Sequence, residues 1–181
     1  MNRAVFLDRD GVLNEALVDK DGVPRPPAGA ADLHITEGAA GALERLHSAG
    51  FLLLAVTNQP DVARGALSMD DVEMVNNELQ ARLPIDAVYV CPHTSDACDC
   101  RKPKPGMILD AADDWEVDLA ASWLIGDRWV DVAAALAAGV RPILLERPYS
   151  WDPTSSGAPE ENLARVPARG TISECVSLIL G

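Results

Sequence analysis

The sequence predicts an α/β fold built on a parallel sheet with helices on both faces. Short apolar runs alternate with segments of helical period, the mark of βαβ units joined by right-handed crossovers. The runs are apolar throughout, as strands covered on both faces are. Three of them end in polar residues, Asp8 with Asp10, Thr57 with Asn58, and Asp127. In a parallel sheet those ends share one edge, outside which ligands bind.

Each element has a local reason. Ala4–Leu7 is a four-residue apolar run closed by a turn at Gly11, so it reads as a buried strand ending at Asp8. Residues 14–36 carry Pro24, Pro26, Pro27 and Gly29 without periodicity and read as a loop beside the strand end. Ala39, Leu43 and Leu46 recur at helical spacing, and Gly50 stops that helix. Phe51–Val56 is a second strand running into Thr57-Asn58-Gln59. Ser68 with Asp70 and Asp71 caps a helix reaching about Leu83, where Pro84 interrupts. A third strand is expected over residues 85–90, up to Cys91. Pro105-Gly106 opens a helix through Trp115, residues 122–125 form a fourth strand, and residues 130–138 a helix ended by Gly139. Residues 140–145 make a fifth strand. The remainder, 146–181, is rich in Pro, Ser and Gly up to Pro167 and is expected to wrap the surface before a closing helix with Ile172, Val176 and Ile179 inward.

At 181 residues the chain suits one domain, 1–181. Fifteen basic against 28 acidic side chains give a net charge of −13. That disfavours nucleic acid and anionic membranes as partners. The start, Met1-Asn2-Arg3, leads straight into the strand without a signal-peptide apolar region. No run approaches the ~20 apolar residues that span a bilayer. A cytoplasmic monomer is the expectation.

The polar strand ends have a shared chemistry. Asp8, Asp10 and Asp127 are oxygen donors suited to Mg²⁺, which keeps several waters and takes few carboxylates. Asp131, four residues after Asp127, lies on or near the same helix face and is a candidate to orient Asp127 or a metal-bound water. Thr57 offers a hydroxyl, and the backbone amides after it are candidate phosphate donors. Arg101-Lys102-Pro103-Lys104 concentrates three of the fifteen bases before a helix start, a natural anion site. A carboxylate nucleophile, a general acid, Mg²⁺, a hydroxyl and a lysine are the parts for phosphoryl transfer through an aspartyl-phosphate. Separately, Cys91-x-His93 and Cys98-x-Cys100 present three thiolates and an imidazole, the donor set of a closed, structural Zn²⁺ in a loop over 91–100. Cys175 stands outside that set and reads as a core or helix-face residue.

In order, Asp8-x-Asp10-Gly11, Thr57, Lys102 and Gly126-Asp127-x-x-x-Asp131 resemble the four motifs of the haloacid-dehalogenase superfamily of phosphatases, over about residues 3–145. The resemblance implies a Rossmann-like three-layer α/β/α sandwich without a large cap domain. It implies Asp8 as nucleophile, and Asp10 as acid to the leaving alcohol and then base to water. Thr57 and Lys102 would hold the phosphoryl group, with Mg²⁺ on Asp8, the Asp10 carbonyl and Asp127. The run Cys-x-His…Cys-x-Cys-Arg-Lys-Pro, with Thr57-Asn58-Gln59 and Ala63-Arg64-Gly65, is similar to the heptose 1,7-bisphosphate 7-phosphatases. Their relatives, the histidinol-phosphate phosphatases, are the alternative.

By the same resemblance the substrate, a small phosphorylated sugar, would be met by Asp19, Asn58, Gln59, Arg64, Arg101 and Arg128. Three departures bear on that substrate. Pro60-Asp61 stands where the heptose enzymes usually carry Ser-Gly, removing an amide donor and adding a negative charge. Arg128 stands for a lysine. Only residues 94–97 separate His93 from Cys98, closer to the histidinol-phosphate type.

Overall fold

A computed structural model describes residues 1–18, 24–94, 98–152 and 166–181. Among these, eight strands and five α-helices follow in the order β1 (Arg3–Leu7), β2 (Leu17–Val18), β3 (Pro24–Arg25), α1 (Ala39–Ser48), β4 (Phe51–Asn58), α2 (Met69–Arg82), β5 (Ala87–Cys91), α3 (Gly106–Asp114), β6 (Trp123–Gly126), α4 (Trp129–Ala138), β7 (Arg141–Leu145), β8 (Ala168–Arg169) and α5 (Ile172–Leu180).

Six strands form one sheet in the order β5-β4-β1-β6-β7-β8, and every pairing in it is parallel. β1 is central: Leu7 pairs with Ala55 on one side and Ile125 on the other. The chain first builds outward from β1 to β4 and β5, then returns to its other side at β6. That reversal opens a crevice at the carboxyl end of β1.

The alternation of side chains along the strands divides the core in two. Val5, Leu7, Leu53, Ala55 and Ile125 face α1, α2 and α5. Ala4, Phe6, Leu54, Val56 and Leu124 face α3 and α4. Both faces are covered, so Ala4 through Leu7 have no exposed surface and the strand carries no polar alternation. The three-layer sandwich read from the sequence is the observed architecture. Cys175 is buried in the first of these clusters.

Local differences have local causes. The third strand starts at Ala87, two residues later than expected, because Asp86 turns its carboxylate onto the Leu53 amide (2.7 Å) instead of extending the ladder. The 14–36 loop contains a short antiparallel hairpin, Leu17 opposite Arg25. The C-terminal segment does not only wrap: Ala168–Arg169 adds a sixth strand beside β7. The capping chemistry at Ser68 is borne out by a reciprocal box, the Ser68 hydroxyl accepting from the Asp71 amide and the Asp71 carboxylate accepting from the Ser68 amide.

Candidate active site

The sheet's carboxyl edge brings four stretches of sequence together. Asp8 follows β1, with its amide still bonded to the Ile125 carbonyl (3.0 Å). Thr57 and Asn58 end β4, Lys102 comes from the loop before α3, and Asp127 and Asp131 flank the start of α4.

Lys102 is the hub. It is 2% exposed, and its ammonium lies 2.6 Å from Asp8 Oδ1, 2.6 Å from Asp131 Oδ1 and 2.8 Å from the Val56 carbonyl. The Asp8 and Val56 contacts are hydrogen bonds and the Asp131 contact is an ion pair. Burial alone would lower its pKa, but the Asp131 and Asp8 carboxylates outweigh burial and hold it above the ordinary lysine range. It is charged at neutral pH.

The carboxylates are less content. Burial pushes Asp8 up to about 7; Lys102 pulls it back, while Asp131 and Asp10 add to the rise. Asp127, 1% exposed, is raised well above the carboxylate range by burial first, then by the charges of Asp8 and Asp131. Neither Asp127 oxygen has a hydrogen-bond partner; the Tyr149 hydroxyl is close enough to oppose the shift without completing a bond. One oxygen each from Asp8, Asp127 and Asp131 lies within 4.8 Å of the others. Three buried carboxylates at that spacing share one ammonium and leave Asp127 unpaired, an arrangement that fits a divalent cation, which would supply the missing counter-charge. Two glycines make the crowding possible. A Cβ at Gly11 (φ +98°) would overlap the Asp127 carboxylate, and one at Gly126 would overlap the Asp131 side chain.

Asp10 sits differently. Its Oδ2 accepts from Gln59 Nε2 (2.7 Å) and Arg9 Nη2 (3.0 Å), and its Oδ1 from Asn14 Nδ2 (3.0 Å) and Arg9 Nε (3.3 Å). Arg9 itself is 1% exposed and is anchored on Asn76 (2.9 Å). These donors fix the carboxyl beside Thr57, whose hydroxyl accepts from the same Gln59 amide (2.9 Å).

A cavity of about 340 Å³ opens over these groups. Asp8, Asp10, Thr57, Lys102, Asp127 and Asp131 line its floor; Asn58, Arg64, Arg101 and Arg128 line it too, with Arg25, Asp61 and Asp152. The sequence-predicted residues thus converge, with particular exceptions. Gln59 is fully buried behind Asp10 and Thr57 and does not line the cavity, so its place is to hold Asp10 rather than to meet substrate. Asn58 reaches the cavity, but its amide is spent on the Lys102 backbone, giving to the carbonyl (3.0 Å) and taking from the N–H (3.1 Å). Asp131 stands in the same cluster as Asp127 and also pairs with Lys102 and caps α4 through the Arg128 amide (3.0 Å). The Gln59 amide is taken by the Cys91 carbonyl, and residue 60 is proline, so two of the amides expected to bind phosphate are not on offer. The start of α3 is likewise closed to anions at Gly106, whose amide bonds to the Asp99 carbonyl. Asp19 lies outside the described residues.

Arg9, Asn14, Tyr149 and Ser150 were not anticipated. Arg9 had a signal, a cation between two aspartates on a chain with few bases. Tyr149 and Ser150 had none, since they lie in a segment read as surface wrapping.

The cysteine loop forms a second cluster. Cys91 Sγ lies 3.7 Å from Cys98 Sγ and 3.6 Å from His93 Nδ1, and Cys100 Sγ is 3.0 Å from Cys91 Sγ and 3.3 Å from His93 Nδ1. A tetrahedral metal with ~2.3 Å bonds to sulfur separates its ligands by about 3.8 Å, so this is a metal-ready arrangement. None of the three cysteines is in a disulfide. Burial raises the Cys91 thiol and pushes Cys100 up to about 12, a cost that metal binding removes. The cluster also holds the active-site loop: Arg101 Nη1 donates to the His93 carbonyl (3.0 Å) and Lys104 Nζ to the Cys98 carbonyl (2.8 Å).

A central parallel strand carrying a buried Asp-Lys pair, with a second acidic strand end beside it, defines a phosphatase-type site of the haloacid-dehalogenase class. The comparisons agree. The HAD-hydrolase-like family model matches residues 99–147, which include Lys102, Asp127 and Asp131. The D-glycero-beta-D-manno-heptose-1,7-bisphosphate 7-phosphatase of Haemophilus ducreyi is 37% identical over 158 residues, 80% of this chain and 83% of that protein. The Vibrio cholerae enzyme of the same name is 39% identical over 161 residues, 80% and 81% of the two chains. Among solved structures, the D,D-heptose 1,7-bisphosphate phosphatase of B. bronchiseptica, complexed with magnesium and phosphate, superposes with a TM-score of 0.79 at 29% identity, over 98% of both chains. The chain belongs to the heptose-1,7-bisphosphate 7-phosphatase family of the haloacid-dehalogenase superfamily. No helix among the described residues is long and apolar enough to cross a membrane.

Proposed function

We propose that this chain is a Mg²⁺-dependent phosphatase that removes the 7-phosphate of D-glycero-D-manno-heptose 1,7-bisphosphate, the whole of 1–181 serving as one catalytic unit. The observation that carries the reading is Asp8: a nucleophile-grade carboxylate on the cavity floor, one oxygen held 2.6 Å from Lys102. Asp8 attacks phosphorus in line, the bond from phosphorus to the ester oxygen breaks, and the phosphoryl group passes to the carboxylate. Asp10 gives its proton to the departing alkoxide, then takes one from the water that attacks the aspartyl-phosphate, releasing phosphate and restoring Asp8.

Thr57 and Lys102 hold the transferring phosphoryl oxygens, and Asn58 and Asp131 fix Lys102 in place. The Arg9–Gln59–Asn14 cradle aims the Asp10 carboxyl at the cavity side of Thr57. Asp8, the Asp10 carbonyl and Asp127 would hold Mg²⁺, which when bound would supply positive charge beside the transferring phosphoryl group and the counter-charge for the buried carboxylates. Arg101, Arg128 and Arg64 face the rest of the substrate, the second phosphate included. Zn²⁺ on Cys91, His93, Cys98 and Cys100 is structural: four protein ligands leave it no open position.

Histidinol phosphate is the rival substrate. It is favoured by Asp61, which lines the cavity and takes up Arg64 at 2.9 Å, so that a cation meant for a second phosphate is already paired. Phosphate release from the two compounds at equal Mg²⁺ decides between them. The bisphosphate is expected to have the higher kcat/KM; a higher value for histidinol phosphate overturns that choice, and release from neither overturns the reading.

A further inference from the structure

The turn after β7 is attached to the candidate metal site at four points. Ser150, fully buried, donates its hydroxyl to the Asp127 carbonyl (2.6 Å), and its own carbonyl accepts from the Trp129 amide (2.9 Å) at the start of α4. The same hydroxyl accepts from the Arg147 amide (2.8 Å), closing the turn. Arg147 Nη2 reaches across to the Gly11 carbonyl (3.3 Å), on the loop that carries Asp8 and Asp10. Between these anchors, Tyr149 places its hydroxyl against Asp127 and Gly11: a Cβ built on Gly11 would meet both Asp127 Oδ2 and the Tyr149 oxygen (2.8 Å).

This arrangement fits an unfilled requirement. Asp127 offers two buried oxygens without a hydrogen-bond partner. A cation takes one of them, which leaves the other in need of a donor. A side chain fixed in direction can meet that need, and the Ser150 and Arg147 bonds fix the Tyr149 backbone on both sides. We propose that Tyr149 is a positioning residue for the metal: its hydroxyl donates to one Asp127 oxygen and turns the other toward the divalent cation. The proposal rests on the Mg²⁺ reading of the site. It assigns a task to the segment after residue 147, where the family-model match ends.

Outer-shell partners of metal ligands typically contribute 10- to 100-fold in affinity. In Tyr149→Phe the Mg²⁺ dissociation constant, read by calorimetric titration of the zinc-loaded protein, is expected to rise by about that factor. The Mg²⁺ concentration for half-maximal activity should rise in parallel, with little change in the KM for the phosphate ester and in the Mg²⁺-free melting temperature. Ser150→Ala, which keeps the hydroxyl of Tyr149 but frees its turn, should weaken Mg²⁺ binding less. Equal Mg²⁺ affinity in wild type and Tyr149→Phe overturns the positioning role alone. So does a loss of affinity matched by a fall in the Mg²⁺-free melting temperature, because that is the signature of a packing residue. A wild type that binds no Mg²⁺ overturns the functional reading as well.

Discussion

Withdrawing Mg²⁺ should make this protein less stable as pH rises. The site buries Asp8, Asp127 and Asp131 around the single ammonium of Lys102. Asp8 titrates near 7 in the fold, against an ordinary 3.8. Between those values the folded protein keeps a proton that the unfolded chain has lost. The unfolded state then binds fewer protons, so the free energy of unfolding falls as pH climbs through this window. At about 1.4 kcal/mol per unit, one proton over the whole window amounts to roughly 4 kcal/mol. For a chain of this length that is a fall of roughly 8–16 °C in melting temperature. Saturating Mg²⁺ removes the penalty by competing with the proton, so its stabilising increment should grow from pH 5 to pH 8. The assay is thermal or urea unfolding at fixed ionic strength, in protein dialysed free of Mg²⁺ without a chelator so that zinc stays bound. Asp8→Asn, which cannot ionise, should flatten the slope and abolish turnover. A Mg²⁺-free melting temperature that is level or rises from pH 5 to 7.5, or an unchanged slope in Asp8→Asn, refutes the reasoning.

Other consequences are sharper in geometry. Metal analysis of protein purified without chelator should find about one zinc per chain, and Cys91→Ser should lower both zinc content and melting temperature. A protein without zinc and with an unaltered melting temperature counts against the four-ligand site. Gly11→Ala should abolish Mg²⁺ binding and cost about 1–3 kcal/mol in urea unfolding, because φ +98° is strained for alanine and its methyl overlaps Asp127. Asn58→Ala should lower kcat by about 10- to 100-fold through a displaced Lys102. A raised KM with kcat intact would instead make Asn58 a substrate contact.

The opening strand and its partners were legible because burial on both faces leaves a plain mark, an apolar run that stops at a charge. Once the runs alternate with helices, parallel pairing brings Asp8, Thr57 and Asp127 to one edge without knowledge of any contact. What spacing does not encode is where a donor points. Gln59 sits between residues that line the cavity, yet the Cys91 carbonyl draws its backbone inward and its side chain follows to Asp10. Asp131 was placed on the right helix turn and beside Asp127, but its ion pair with Lys102 was not foreseen, since Lys102 arrives from a loop whose path depends on the cysteine cluster. β8 escaped notice because two residues, Ala168–Arg169, cannot show a period. Tyr149 and Ser150 escaped for a related reason: their turn is tied to Asp127, Trp129 and Gly11 by three long-range bonds, none written in the local pattern.

Charge accounts for why these contacts take the form they do. Three buried carboxylates against one ammonium leave the floor of the cavity at −2 when all are ionised, and one divalent cation brings it to zero. A phosphate ester entering a neutral floor still carries its own negative charge, which only the cavity walls can meet. Arg25, Arg101 and Arg128 are there, set against Asp61 and Asp152. The chain's overall −13 cannot help, but at physiological salt it acts over only about 8 Å. The local balance decides. Asp61 pairs with Arg64 at 2.9 Å, so the cavity walls, rather than Asp8 and Asp10, are where a bisphosphate and a monophosphate would be met differently.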